Sequence, residues 1–147
     1  MSHPRRTVLM VDDDHELWEL MILVFAEEGY RVLLASDLVT LKRLLVEEKV
    51  DVAIVDLMLA EDLGYIACRT VKEAGEAVPV VLRAPHVDVA DSAKAKALNA
   101  EDCLTMPYDV EDFVDRVQRL CPSSSRLEFR GSHDDRARRS SPDWERW

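Results

Sequence analysis

VLMVDDD at residues 8–14 and VDVAIVD at residues 50–56 decide the fold, because in each a run of four apolar residues stops abruptly on aspartate. Unbroken apolarity over four or five residues, rich in Val, Ile and Leu, marks a strand covered on both faces rather than one with a wet side. Three further runs, Val32 to Ala35, Val78 to Leu82 and Asp102 to Thr105, bring the number of expected strands to five. Longer stretches of helical periodicity separate them, the pattern of βα units around a parallel sheet. The fold class that follows is α/β: a doubly wound five-stranded parallel sheet, (βα)5, in three layers.

The helical stretches carry their own punctuation. From Asp14 to Glu28, Leu17, Leu20, Met21, Val24 and Phe25 recur at steps of three and four, and Gly29 stands where a left-handed cap would end the helix. Asp37 is placed to cap a second helix carrying Leu38, Leu41, Leu44 and Leu45, and Leu63 to Ala74 reads as a third with Ile66, Ala67, Thr70 and Val71 inward. Asp88 to Leu98 is alanine-rich and ends at Asn99, a residue that tolerates the left-handed region. Asp109 opens the last helix, whose apolar face is Phe113, Val114, Val117 and Leu120.

Composition narrows the function classes. The 147 residues have a net charge of −10, unevenly spread: residues 1–120 hold 13 Lys and Arg against 24 Asp and Glu, and residues 121–147 hold six Arg against five acids. A folded part so acidic should repel nucleic acid, and no nucleic-acid partner is expected. No apolar run approaches a membrane span, and MSHPRRTVLMVDDD shows no export signal. Cys68, Cys103 and Cys121 are odd in number and lack a C-x-x-C pair, which argues against disulfides or a zinc site and for a reducing cytoplasm. Residues 1–120 are expected to form one domain and residues 121–147 a disordered Ser/Arg-rich tail, in which Trp144 and Trp147 stand out. With four glycines there is no phosphate-cradling loop, and no Ser or Cys sits in a nucleophile elbow, so an enzyme is not expected.

Ligands of doubly wound sheets gather at the carboxyl ends of the strands. Asp12, Asp13 and Asp56 would meet there, and like charges so placed repel unless a cation or a shared proton offsets them. An oxygen-seeking divalent ion such as Mg²⁺ is the simplest counter-charge. The plainer reading, a solvated loop with a helix cap, suits Asp14 better than the other three. His15 and His86 read as surface residues beside this cluster.

VLMVDDDHEL, VDVAIVDLML with Gly64 eight residues after Asp56, VPVVL and LTMPYDVEDF together resemble the receiver domain of bacterial response regulators, a flavodoxin-like fold, over about 115 residues in family order. The resemblance implies that Asp56 is the phosphoacceptor position. It implies that Asp12, Asp13, Asp56 and the backbone carbonyl of Met58 hold Mg²⁺, and that a histidine kinase is a partner. The pattern also breaks. Ala84 falls where the family has a hydroxyl, Met106 where it has a lysine, and Cys103 where it has a moving aromatic. A hydroxyl and a lysine bonded to a phosphoryl group would each contribute about 1.5–3 kcal/mol. Moving an equilibrium from 1:99 to 99:1 takes about 5.5 kcal/mol, so their loss could remove most of a switch. Arg83 could reach across the pocket and neutralise Asp56 or Asp12, or it could face solvent.

The reading that follows is a stand-alone atypical receiver that works by protein contact. Its partner face by resemblance includes Lys94, Asp102, Asp112 and Arg116, and a homodimer is one assembly that face allows. The alternative is a phosphorylatable single-domain regulator that takes phosphate on Asp56 with Mg²⁺.

Overall fold

The computed structural model describes residues 5–74, 77–84, 93, 96–105 and 108–123. Its elements are β1 (Arg6–Val11), α1 (His15–Glu27), β2 (Tyr30–Ala35), α2 (Leu38–Glu47), β3 (Val52–Asp56), a short 3₁₀ turn (Ala60–Asp62), α3 (Leu63–Ala74), β4 (Val80–Ala84), β5 (Asp102–Thr105) and α4 (Val110–Leu120). The sheet is parallel throughout in the order β2-β1-β3-β4-β5, so the direction of winding reverses at β1 and β3. Those are the two strands that end on aspartate. Of the expected helix at 88–98, only residues 93 and 96–98 are described, and Asn99 beyond them has φ 61°.

Strand alternation sorts the core into two layers. Leu9 and Val11 of β1, Ala53 and Val55 of β3, and Leu82 and Ala84 of β4 face α2 and α3, where Leu41, Ala67, Cys68 and Val71 pack on them. Val8 and Met10, Val52 and Ile54, Val81 and Leu104 face the other way, against Met21 and Phe25 of α1 and Phe113, Val114 and Val117 of α4. Every one of these side chains is at most 4% exposed, as expected of strands covered twice. No helix among the described residues is long and apolar enough to cross a membrane.

Two expected faces turn out rotated. On α3 the inward residues are Gly64, Ala67, Cys68 and Val71, spaced i, i+3, i+4, i+7, while Ile66 is 40% exposed. The cause is Gly64, whose missing side chain lets the helix lie against the end of β3 and fixes which stripe meets the sheet. On α1, Leu20 is 44% exposed, leaving Met21 and Phe25 as the buried pair.

The expected helix starts carry side-chain caps. Asp14 accepts hydrogen bonds from the backbone N–H groups of Glu16 and Leu17, both at 3.1 Å, and Asp37 accepts one from Thr40 at 2.7 Å. At α4 the cap is reciprocal: Asp109 accepts from the Asp112 backbone at 2.8 Å and Asp112 accepts from the Asp109 backbone at 3.3 Å. Asp109→Ala is expected to cost about 1 kcal/mol, read as a lower thermal midpoint.

Packing continues past residue 120. The Tyr30 hydroxyl donates to the Cys121 carbonyl, the Ser123 backbone N–H donates to Gln118 Oε1 at 3.1 Å, and Ser123 is fully buried. Residues 124–147, with Trp144 and Trp147, lie outside the described residues, as do Met106, Lys94 and His86.

Candidate functional site

Period-two alternation builds the pocket. Met10, Ile54 and Val81 face the α1 and α4 side, so the residues two positions on, Asp12, Asp56 and Arg83, emerge on that same side at the carboxyl ends of three adjacent strands. β4 was expected at Val78 to Leu82 but runs Val80–Ala84, because Arg83 pairs in register with Asp56 and the carboxylates satisfy its charge. A lone arginine would otherwise end a buried strand.

The guanidinium of Arg83 lies between the acids. Its Nη2 donates to Asp12 Oδ2 at 2.6 Å and to Asp56 Oδ2 at 3.2 Å, and its Nε donates to Asp12 Oδ2 at 3.2 Å. Its Nη1 donates to the Tyr108 hydroxyl at 3.1 Å. Asp12 is almost wholly buried and also accepts from the Asp14 backbone N–H at 3.0 Å, while Asp56 accepts from the Met58 backbone N–H at 2.8 Å. Asp13 stands exposed at the rim, with a carboxylate oxygen in a group whose members from Asp12, Asp13 and Asp56 all lie within 4.8 Å of one another.

Electrostatics follows from this packing. Burial pushes the Asp56 carboxyl above its ordinary range, opposed by the Met58 N–H and by Arg83. Burial alone would weaken the charge on Arg83, but Asp12, Tyr108 and Asp56 together more than offset it and hold the guanidinium charged. Three carboxylates fit a hard divalent cation in donor type and number. One oxygen each of Asp12 and Asp56 already accepts from Arg83.

The other expected site residues divide. Ala84 is buried on the opposite face of the sheet, among the residues under α2 and α3, and Cys103 is buried in that same layer. Met58 is 62% exposed at the pocket edge. His15 packs edge-on against Trp18 with ring centroids 4.5 Å apart and is no member of the carboxylate group. On the expected partner face, Asp102 is fully buried: it accepts from Arg116 Nη1 at 2.7 Å and from Arg119 Nη2 at 2.9 Å. Asp112 serves in the cap of α4.

Sequence reasoning missed two participants. The hydroxyl of Tyr108 accepts from Arg83 at 3.1 Å while its ring packs edge-on against Phe113 at 5.4 Å. Arg119 joins Asp102 from one turn beyond Arg116, a spacing that the i, i+3 rule could have supplied.

A doubly wound sheet with an aspartate cluster at its switch point defines a class, the α/β domains that receive charged ligands at the carboxyl edge. Within it, residues 8–118 match the family model for the response regulator receiver domain. The chain belongs to that family. It is 29% identical over 133 residues to the transcriptional regulatory protein GltR of Pseudomonas aeruginosa, covering 89% of this chain and 55% of that protein. It is 28% identical over 130 residues to the DNA-binding dual master transcriptional regulator RpaA of Synechocystis, covering 87% and 54%. The chain therefore spans about half the length of these curated relatives. A CheY-like receiver structure from Methanospirillum hungatei superposes with a TM-score of 0.72 at 16% identity, covering 78% of this chain and 92% of that one, a likeness of fold. Receiver domains act in two-component signalling with histidine kinases and other partners, and bind Mg²⁺ at an aspartate cluster like that of Asp12, Asp13 and Asp56.

Proposed function

We propose that this chain is an atypical receiver that acts by binding protein partners in the cytoplasm, without aspartyl phosphate as its switch and without turnover of its own. The observation that carries this reading is Arg83, whose guanidinium bridges Asp12 and Asp56 at 2.6 and 3.2 Å. In the family's usual arrangement Mg²⁺ supplies the charge that offsets the carboxylates and the incoming phosphoryl oxygens. Here an internal cation already offsets Asp12 and Asp56. Neither Arg83, the β4 residue that faces Asp56, nor Ala84 beside it brings a hydroxyl to a phosphoryl group, and Met106 brings no ammonium. A phosphoryl group on Asp56 would thus meet fewer contacts that distinguish it from the free carboxylate, and a ligand shifts an equilibrium only by such differences.

Partner contact is assigned to the face of β5 and α4. Asp112 is exposed there, and the buried pair of Asp102 and Arg116 sets Arg119 at the surface from within. A histidine kinase and a second copy of this chain are both partners of that kind.

The competing reading, a phosphorylatable receiver using Asp56 and Mg²⁺, draws on the three carboxylates lying within 4.8 Å. Titration with beryllofluoride in Mg²⁺, followed by Trp18 fluorescence or calorimetry, separates the two. Beryllofluoride is expected to leave the protein unchanged at millimolar concentration. Saturable binding that disappears in Asp56→Asn would overturn the phosphate-independent reading.

A further inference from the structure

We infer that Arg83 is a tethered cation that competes with divalent metal for Asp12 and Asp56, and that its release undoes the bond to Tyr108, so that metal occupancy and the loop before α4 are linked. This rests on reading Asp12, Asp13 and Asp56 as a receiver's cation pocket, and deepens that reading by naming what controls entry.

The guanidinium has acceptors on three separate segments. Asp12 follows β1, Asp56 ends β3, and Tyr108 precedes α4. Arg83 itself is fixed by the sheet: it pairs in register with Asp56, and its carbonyl accepts from the Leu57 backbone N–H at 3.0 Å. Only the side chain is free to move. A charge tethered at hydrogen-bonding distance acts at an effective concentration that a free ion in the millimolar range must overcome. A divalent ion seated on Asp12 and Asp56 would also repel the guanidinium, since both carry positive charge and the side chain of Arg83 is only 17% exposed. The two occupants exclude each other.

Tyr108 then senses which of them is present. Its hydroxyl accepts from Nη1 of the same guanidinium whose Nη2 holds the carboxylates, so both sets of bonds cannot survive a swing of the side chain. Its ring lies edge-on to Phe113 of α4, which is fully buried. Linkage is reciprocal: whatever weakens the Arg83 to Tyr108 bond must strengthen metal binding by the same factor.

The test is a Mn²⁺ titration of the full chain by electron paramagnetic resonance, with circular dichroism to confirm folding. Arg83→Met is expected to bind Mn²⁺ at least about tenfold tighter than the native chain, or about 1.4 kcal/mol, and the gain should vanish in Arg83→Met combined with Asp12→Asn. Tyr108→Phe, which removes one restraint on Arg83, is expected to tighten binding by about two- to fivefold. Equal affinities for the native chain and Arg83→Met, or no binding to either, would overturn the competition. If Arg83→Met fails to fold, the native chain still decides: saturating Mg²⁺ must shift the Tyr108 ring resonances, and unchanged resonances at saturation overturn the linkage. Beryllofluoride binding by the native chain would defeat the phosphate-independent reading alone, because Arg83→Met could still bind metal more tightly.

Discussion

Gly64→Ala is expected to destabilise the domain by about 3 kcal/mol, at the upper end of what overpacking costs, and to loosen the pocket with it. A Cβ at position 64 would lie 2.8 Å from the Leu57 Cα and 3.1 Å from its carbonyl carbon, and closer still to the carbonyl oxygen of Asp56. These neighbours are backbone atoms and cannot turn aside as a side chain would. The intervening loop offers little slack, since Glu61 and Asp62 both already hold φ near 59°, in the left-handed region that non-glycine residues rarely adopt. α3 must therefore back away from β3, or the end of β3 must shift and carry the Asp56 carboxylate off Arg83. A urea midpoint lowered in proportion, with an unchanged slope, is the expected measurement. A midpoint within experimental error of the native one would show that α3 can move away at no cost.

The second large effect is expected at Asp102→Asn. Asp102 has no exposed surface, and it faces Arg116, whose side chain is 8% exposed, and Arg119. Burial pushes the Asp102 carboxyl up while the two guanidinium groups oppose that shift. Removing the negative charge takes from the buried Arg116 the carboxylate it donates to at 2.7 Å and leaves a neutral amide there, beside the Cys103 carbonyl at 3.2 Å. Deleting one partner of a buried pair typically costs about 3–5 kcal/mol, because the remaining charge stays desolvated. The loss here should lie near the lower end, since Arg119 is 23% exposed and can turn to water. Thermal unfolding reads it as a fall of roughly 10 °C or more, at about 4 °C per kcal/mol. Asp102→Asn should also weaken any partner contact made through Arg119, whereas Asp109→Ala, on the far end of α4, should not.

The contrast between these two positions shows what sequence could and could not reveal. Strands, caps and the carboxyl-edge aspartates were legible because each rests on a local rule: unbroken apolarity, a capping side chain, a run that stops on an acid. The role of Asp102 was not, since an aspartate at a strand start reads as surface until its two arginines are placed beside it. Arg83 shows the same limit in a milder form. Its option of reaching Asp12 or Asp56 could be stated, but choosing it over solvent required the end of β4, and an arginine inside a buried strand argued against extending that strand. Only the register opposite Asp56 resolves it. The hydroxyl of Tyr108 gave no local signal, because its donor lies 25 residues away in the chain, on β4.

The end of the sheet remote from the acids is tied to the pocket by the helix α4. In a doubly wound sheet the helices run back against the strands, so Cys121 to Ser123, clasped to Tyr30 at the start of β2 and to Gln118, sit at the end remote from the acids. α4 joins the two ends: Tyr108 and the cap at Asp109 stand at its head, the clasp at its foot, and its 11 residues measure about 16 Å. A rigid rod of that length converts a small tilt at the head into a comparable displacement at the foot, so a change among the acids can be felt at Cys121 to Ser123 through α4.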